Sequence, residues 1–209
     1  MPDTGAAVQP VEVAQIRCPR CWFPAPFVDL NGATFRCARC EWKFSLSAPT
    51  LSAAPAFPAT TVAVANPYPT PIAAAIAANG ATITNVSVSG VTAGTAAGTY
   101  VIPAGGTISC AYSVATPTWT WALPAISAGV SAGGNALPFA SGGTAFAPGQ
   151  VLIVDPSGTS DVVVVSGTPT ATSVPVNSLN SSHLTGVLVT VAQAAPAHPS
   201  VQVVPQTTY

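Results

Sequence analysis

The chain has 209 residues, 49% of them apolar and 5% charged, with five basic and six acidic side chains and a formal charge of −1. Soluble proteins carry roughly 25% charged residues, so this chain has the material for a core but lacks the charged coat that keeps a free protein dispersed. No apolar run reaches the roughly 18 to 20 residues that span a bilayer, and the start Met-Pro-Asp-Thr-Gly lacks the pattern of a secretory signal; a membrane partner is not expected, and folding in a cytoplasm is.

A coat of Thr, Ser, Ala, Val, Gly and Pro points to an assembly subunit whose surface is covered by neighbours. A neutral secreted or wall-associated domain, solubilised by hydroxyl groups, is the competing reading. Residues 1–15 form an N-terminal arm and residues 16–46 a zinc ribbon in this reading. All five basic residues, Arg17, Arg20, Arg36, Arg39 and Lys43, lie beside or between four cysteines, and the 166 residues from 44 to 209 contain no Lys or Arg. The cysteines run Cys18-Pro-Arg-Cys21, fifteen residues, then Cys37-Ala-Arg-Cys40, the paired spacing that closes a tetrahedral thiolate cage around Zn2+. Two disulfides are the competing use of these sulfurs, and a reducing compartment favours the metal.

Asn31-Gly32 marks a tight hairpin turn between strands expected at 27–30 and 33–36. Trp22, Phe23, Phe35, Trp42 and Phe44 supply the small aromatic core that so short a unit needs beside its metal. Within residues 16–44 basic side chains exceed acidic ones by three. The zinc tetrathiolate subtracts two of those charges, leaving about one, a poor basis for binding that scales with phosphates neutralised. A structural metal is therefore expected, with nucleic-acid or acidic-partner contact as the lesser reading. Trypsin should cut only the ribbon and release residues 44–209 as one fragment in a mass spectrum; a cut beyond Lys43 would contradict this.

Residues 47–60 are a Pro/Ala-rich linker. Pro49, Pro55 and Pro58, followed by Pro67, Pro69 and Pro71, favour extended backbone and oppose helix, as in a tether or an arm laid over a neighbour. A first β-domain is expected over residues 61–124, with strands at 61–65, 72–78, 83–89, 99–102, 107–114 and 118–123, because short β-branched runs alternate with Gly, Asn, Ser and Pro. Alanine makes residues 72–78 ambiguous, but Pro71 and Asn79-Gly80 leave room for only two helical turns, so a strand is assigned. A second β-domain is expected over residues 125–193, with strands at 136–140, 150–154, 161–165, 173–176 and 186–192. Asp155-Pro-Ser-Gly158 reads as a turn. Residues 194–209, with Pro196, Pro199 and Pro205, read as an extended C-terminal tail. The fold class is mainly β, with two small antiparallel sandwiches or barrels. Residues 102–108 (Ile-Pro-Ala-Gly-Gly-Thr-Ile) echo residues 146–152 (Phe-Ala-Pro-Gly-Gln-Val-Leu), read as a shared turn and not as a repeat.

Gly129-Val-Ser131-Ala-Gly133 matches the nucleophile elbow of serine hydrolases, and Asp155 or Asp161 followed by His183 or His198 fits the hydrolase chain order. An elbow needs a strand before it and a helix after it, and the following Gly134-Asn-Ala-Leu-Pro138 is not helical, so a glycine-rich interdomain loop is preferred and no catalytic residue is assigned. His183 reads as a hydrogen-bonded loop histidine, and Cys110 as a buried small hydrophobe. Trp119 and Trp121, two residues apart, share one strand face and serve either a core or a contact surface, with the core preferred.

Residues 85–90 (Asn-Val-Ser-Val-Ser-Gly), 98–108 and 112–121 (Tyr-Ser-Val-Ala-Thr-Pro-Thr-Trp-Thr-Trp) resemble the small β-domains of tailed-bacteriophage virion proteins, particularly capsid decoration and head-fibre proteins. Residues 146–155, the valine run 162–166 and His183-Leu-Thr-Gly186 are similar to a second phage structural module. The resemblance covers roughly 60% of the chain, in turn and strand grammar more than in chemistry, and the zinc ribbon departs from the commonest decoration proteins. It implies a noncatalytic virion protein made in the host cytoplasm and added to the outside of an assembled head. Its partners would be the major capsid protein and copies of itself, as trimers or around another symmetry axis. The alternative is a tail component or an adaptor for a host surface such as a glycan, stacking on Tyr112, Trp119 and Trp121, or a zinc-ribbon adaptor for nucleic acid or protein.

Overall fold

The computed structural model describes residues 34–36, 39–40 and 43–194. Apart from one 3₁₀ turn at Gly143–Ala145, the regular elements among them are all strands, paired antiparallel in several small sheets. No helix among the described residues is long and apolar enough to cross a membrane.

The first unit is built from β3 (Val64–Ala65), β4 (Ile72–Ala77), β5 (Thr82–Val88), β6 (Val91–Gly94), β7 (Gly98–Ile102), β8 (Thr107–Ser113) and β9 (Thr118–Ala122). One sheet has the order β3-β8-β5-β6 and the other β7-β4-β9. Asn79-Gly80 and Ser89-Gly90 each have two successive positive φ values; Ser89-Gly90 closes the β5–β6 hairpin with a primed two-residue turn, whereas Asn79-Gly80 turns the chain from β4 in one sheet to β5 in the other. Alternation along β4 buries Ile72, Ala74 and Ile76. Ala74 and Ile76 meet side chains of the other sheet in one apolar cluster with Ile83, Val86, Ile102, Ile108, Cys110 and Trp119. The alanine run is thus a central strand, as expected: small side chains suit a strand flanked on both edges, and tertiary pairing overrides alanine's helical preference.

The second unit contains β10 (Ala136–Pro138), β11 (Val151–Val154), β12 (Asp161–Val164), β13 (Ser173–Pro175) and β14 (Val189–Val191). β11 lies between β12 and β14, and β10 pairs with β13. Bridges at Val165–Val176 and Ala125–Leu188 link these sheets into a hydrogen-bonded circuit. Inside it sits a separate cluster that includes Ile126, Leu137, Phe139, Phe146, Leu152 and Val163. All four residues of β11 are buried, which explains its continuous Val-Leu-Ile-Val run in place of alternation. The echoed segments prove to be one turn used twice. Gly106 N donates to Pro103 O and Gln150 N to Ala147 O, with Gly105 and Gly149 at positive φ, where a side chain would be strained.

The two units pack together. Thr70 and Thr190, both fully buried, place their hydroxyl oxygens 3.0 Å apart, and Val191 N donates to Thr70 Oγ1 at 2.9 Å. Gly142 approaches Val101 of β7 so closely that no side chain fits there.

β1 (Thr34–Arg36) and β2 (Lys43–Ser47) form an antiparallel hairpin, and β15 (Gln193–Ala194) pairs with the other edge of β2. The described partner of residues 34–36 is Lys43 to Ser45; the strand expected at 27–30 and its Asn31-Gly32 turn lie outside the described residues. So do the N-terminal arm and the tail beyond Ala194.

Candidate functional site

Of the four sulfurs, Cys40 alone belongs to the described residues; Cys18, Cys21 and Cys37 lie outside them. Arg36 pairs with Lys43 across the hairpin, and of the residues that connect the two strands only Arg39 and Cys40 are described, both in a turn. Among the described residues no three His, Cys, Asp or Glu side chains converge.

The linker has a definite place. Its residues lie along the first unit as an extended strap whose carbonyls accept from that unit's aromatic side chains. Trp119 Nε1 donates to Pro55 O at 2.7 Å and Tyr112 OH to Pro58 O at 2.9 Å. Ser52 N donates to Tyr68 OH at 2.8 Å, and Thr61 N to Cys110 O at 2.8 Å. Phe57 is set against Trp119 and Tyr112, with ring centroids 4.6 and 5.7 Å away, and Trp119 lies 5.4 Å from Trp121. The strap thus covers its own sheet, where a free tether or a contact with a neighbour was expected. Trp119 is 8% exposed, so the face weighed as a stacking surface is occupied by Phe57. Trp121 Nε1 is buried with no acceptor.

Phe57→Ala should detach the strap. Phe-to-Ala changes in full cores cost about 3–5 kcal/mol; for this half-buried ring we expect a loss at or below the lower end, with red-shifted tryptophan fluorescence. An unchanged spectrum and midpoint in urea would show that the strap does not depend on Phe57.

The second polar locus is inside the second unit. Asp161 and His183 are 4% and 3% exposed, and His183 Nε2 lies 3.0 Å from Asp161 Oδ2. The same oxygen accepts from Asn180 N at 3.0 Å and Ser181 N at 2.8 Å. Asp161 begins β12 and fastens the loop at residues 180–183. His183 is therefore a hydrogen-bonded loop histidine, and its carboxylate partner could not be read from a sequence separation of 22 residues.

This pair also decides the geometry of the elbow motif. Val130 and His183 exchange backbone hydrogen bonds of 2.9 and 2.8 Å, which brings Ser131 near the histidine along the chain. Ser131 is exposed, no hydrogen bond joins its hydroxyl to His183, and a turn leads on to β10 instead of a helix. Asp155 lies at the far end of β11, in the turn closed by Gly158 N donating to Asp155 O, and His198 lies outside the described residues. Of the three roles in the hydrolase pattern, the structure joins Asp161 to His183 and leaves Ser131 without a hydrogen bond to that histidine.

Two features escaped the sequence. Phe57 is an isolated aromatic in a proline and alanine tract. Asn66, 3% exposed, places Nδ2 within 2.9, 3.2 and 3.0 Å of the carbonyls of Thr70, Ile102 and Pro103, and its Oδ1 accepts from Tyr68 N. It holds the strap-to-β4 corner, which sequence shows only as an Asn before Pro67. Cys110 is buried as expected, and burial raises its thiol pKa, which keeps it protonated and unreactive at neutral pH.

No family model, curated protein or solved structure matches this chain.

Proposed function

We propose that this protein is a noncatalytic structural component of a phage virion, bound to the outside of the head as a decoration or cement protein. In this proposal a zinc ribbon held by Cys18, Cys21, Cys37 and Cys40 is followed by the strap, a β-sandwich and a small barrel. The observation that carries the reading is the surface. Between residues 44 and 194 the only charged side chains are Asp155 and Asp161, and Asp161 is buried. A body of this size thus offers solvent a single carboxylate among Thr, Ser, Ala and Gly. Such a surface suits close contact with other subunits, since burying it desolvates almost no charge.

Bound zinc would act as a staple in place of a hydrophobic core too small to stand alone. Support for a capsid-anchoring foot comes from the hairpin that carries Cys40, whose strand β2 is paired with β15 at the end of the second unit. The major capsid protein and further copies of this chain are the proposed partners. The tail or host-surface reading has less support, because the strap covers the aromatic face it would use.

Gold-labelled antibody against residues 44–209 distinguishes these locations. Labelling spread over the heads of purified particles is the expected image. Label confined to tails would overturn the decoration reading in favour of the adaptor, and label absent from intact, permeabilised particles would remove the virion role.

A further inference from the structure

Val114, in the loop from β8 to β9, is unusual in two ways. It is the most exposed large apolar side chain among the described residues, at 89%. Its φ is 75°, and Ala115 N donates to Ser113 O at 3.0 Å across it, which makes a γ-turn of the rare and strained hand. Apart from Thr61, the other described non-glycine residues at positive φ are Asn, Ser or Asp; its branched Cβ makes Val114 an outlier there.

The turn is held from both sides. Ser113 pairs with Thr82 of β5, and beyond the loop Pro117 is buried and Thr118 Oγ1 accepts from Asn79 Nδ2 at 2.6 Å. Glycine or asparagine would take this φ at lower cost, yet an apolar side chain is kept in water at a strained position. Strain of this kind points to a contact that uses the residue. The small neighbours Ser113 and Ala115 leave the valine standing out as a knob.

A socket of matching chemistry lies at the other end of the same unit. A groove of about 480 Å³ runs between the two units, lined by Ser89, Val91, Tyr100 and Val101 on one side and Thr144 and Ala145 on the other. Its lining is mainly apolar and carries no charged residue. Ser89 N donates to Thr107 O, at the first residue of β8, whereas Val114 follows the last. The seven residues of β8 span roughly 20 Å, so one strand holds knob and groove at opposite ends and they cannot meet within one molecule. Every copy carries both halves, and joining them desolvates no charge on either side.

We propose that Val114 of one copy inserts into the groove of the next, so that copies join head to tail. Such a contact uses two different surfaces, and it builds a ring where the rotation closes and a chain where it does not. It gives the self-association proposed above a specific contact and rests on that reading for the presence of neighbouring copies.

The test is sedimentation of purified full-length protein, kept reduced and supplied with zinc, at concentrations up to about 1 mM. The parent should form species larger than a dimer. Val114→Gly removes the knob and relieves the turn, so its melting temperature should equal or exceed the parent's while association weakens at least about tenfold. Thr144→Arg sets a long charged side chain in the groove from an exposed position and should weaken association as far. Mixed in equal amounts, the two variants retain one intact groove and one intact knob, and they should give dimers and nothing larger. A monomeric parent, parent-like association of either variant, or a mixture that stays monomeric would overturn the proposal. The virion reading has its own readout, the copy number per particle, which none of these results touches.

Discussion

Asp161→Ala is expected to lower the melting temperature of the body by roughly 10 °C, through a loss of about 3–5 kcal/mol. One oxygen, Asp161 Oδ2, accepts from His183 Nε2 and from two backbone N–H groups, those of Asn180 and Ser181. Alanine would leave these donors without an acceptor where both side chains are at least 96% buried, and a buried polar group without a partner bears its full desolvation cost. Asp161→Asn tests the cause, since its amide oxygen can still accept from the two backbone donors; it should retain much of the stability. His183→Ala removes a single donor and should cost less than Asp161→Ala. Urea denaturation of the three variants gives the ranking. An Asp161→Ala protein as stable as the parent would show that the loop at residues 180–183 is held by other contacts.

If the proposed zinc ribbon is correct, removal of the metal is the second large effect. Binding free energies of structural zinc in small modules are about 10–16 kcal/mol and are in effect folding free energies, so chelation should unfold residues 16–46 as a unit. The two apolar clusters lie within residues 74–119 and 126–189 and should keep their cooperative transition. Because β15 pairs with β2, the loss should also be felt at Gln193 and Ala194, as faster amide exchange. Limited trypsin digestion reads the main effect, since every site lies at Arg17, Arg20, Arg36, Arg39 or Lys43. Cleavage should accelerate by at least an order of magnitude once metal analysis verifies zinc loss. An unchanged rate in verified apo-protein would mean the ribbon folds without metal, and the four-thiolate assignment would fall.

Much of the β architecture was legible because its signals are local. The turns at Asn79-Gly80 and Asp155–Gly158 follow from residues that tolerate or favour the required φ, and the valine-rich runs at β11 and β12 announce buried strands. β6 was missed for an equally physical reason. Its hairpin turn, Ser89-Gly90, leaves only Val-Thr-Ala-Gly before the next loop, too short and too small a run to show a period. Predicted strand ends were also a residue or more too long in places, as at 186–192, where the regular strand is Val189–Val191. The site was less legible than the fold. The pairing of Asp161 with His183, the docking of Phe57 on Trp119 and the bond between Thr70 and Thr190 join residues 22 to 120 positions apart. No spacing rule reports such contacts. The composition of residues 48–60 did indicate extended backbone, but not which surface it covers.

The central proposal is that a body with two carboxylates, one of them buried, is covered by neighbours in a particle. The most direct measurement is the number of copies per purified virion, by quantitative mass spectrometry after chymotrypsin, because trypsin leaves residues 44–209 uncut. A decoration protein should be present in a simple whole-number ratio to the major capsid protein. A handful of copies per particle would contradict head decoration and point to tail or fibre, and absence from intact particles would contradict the virion role altogether.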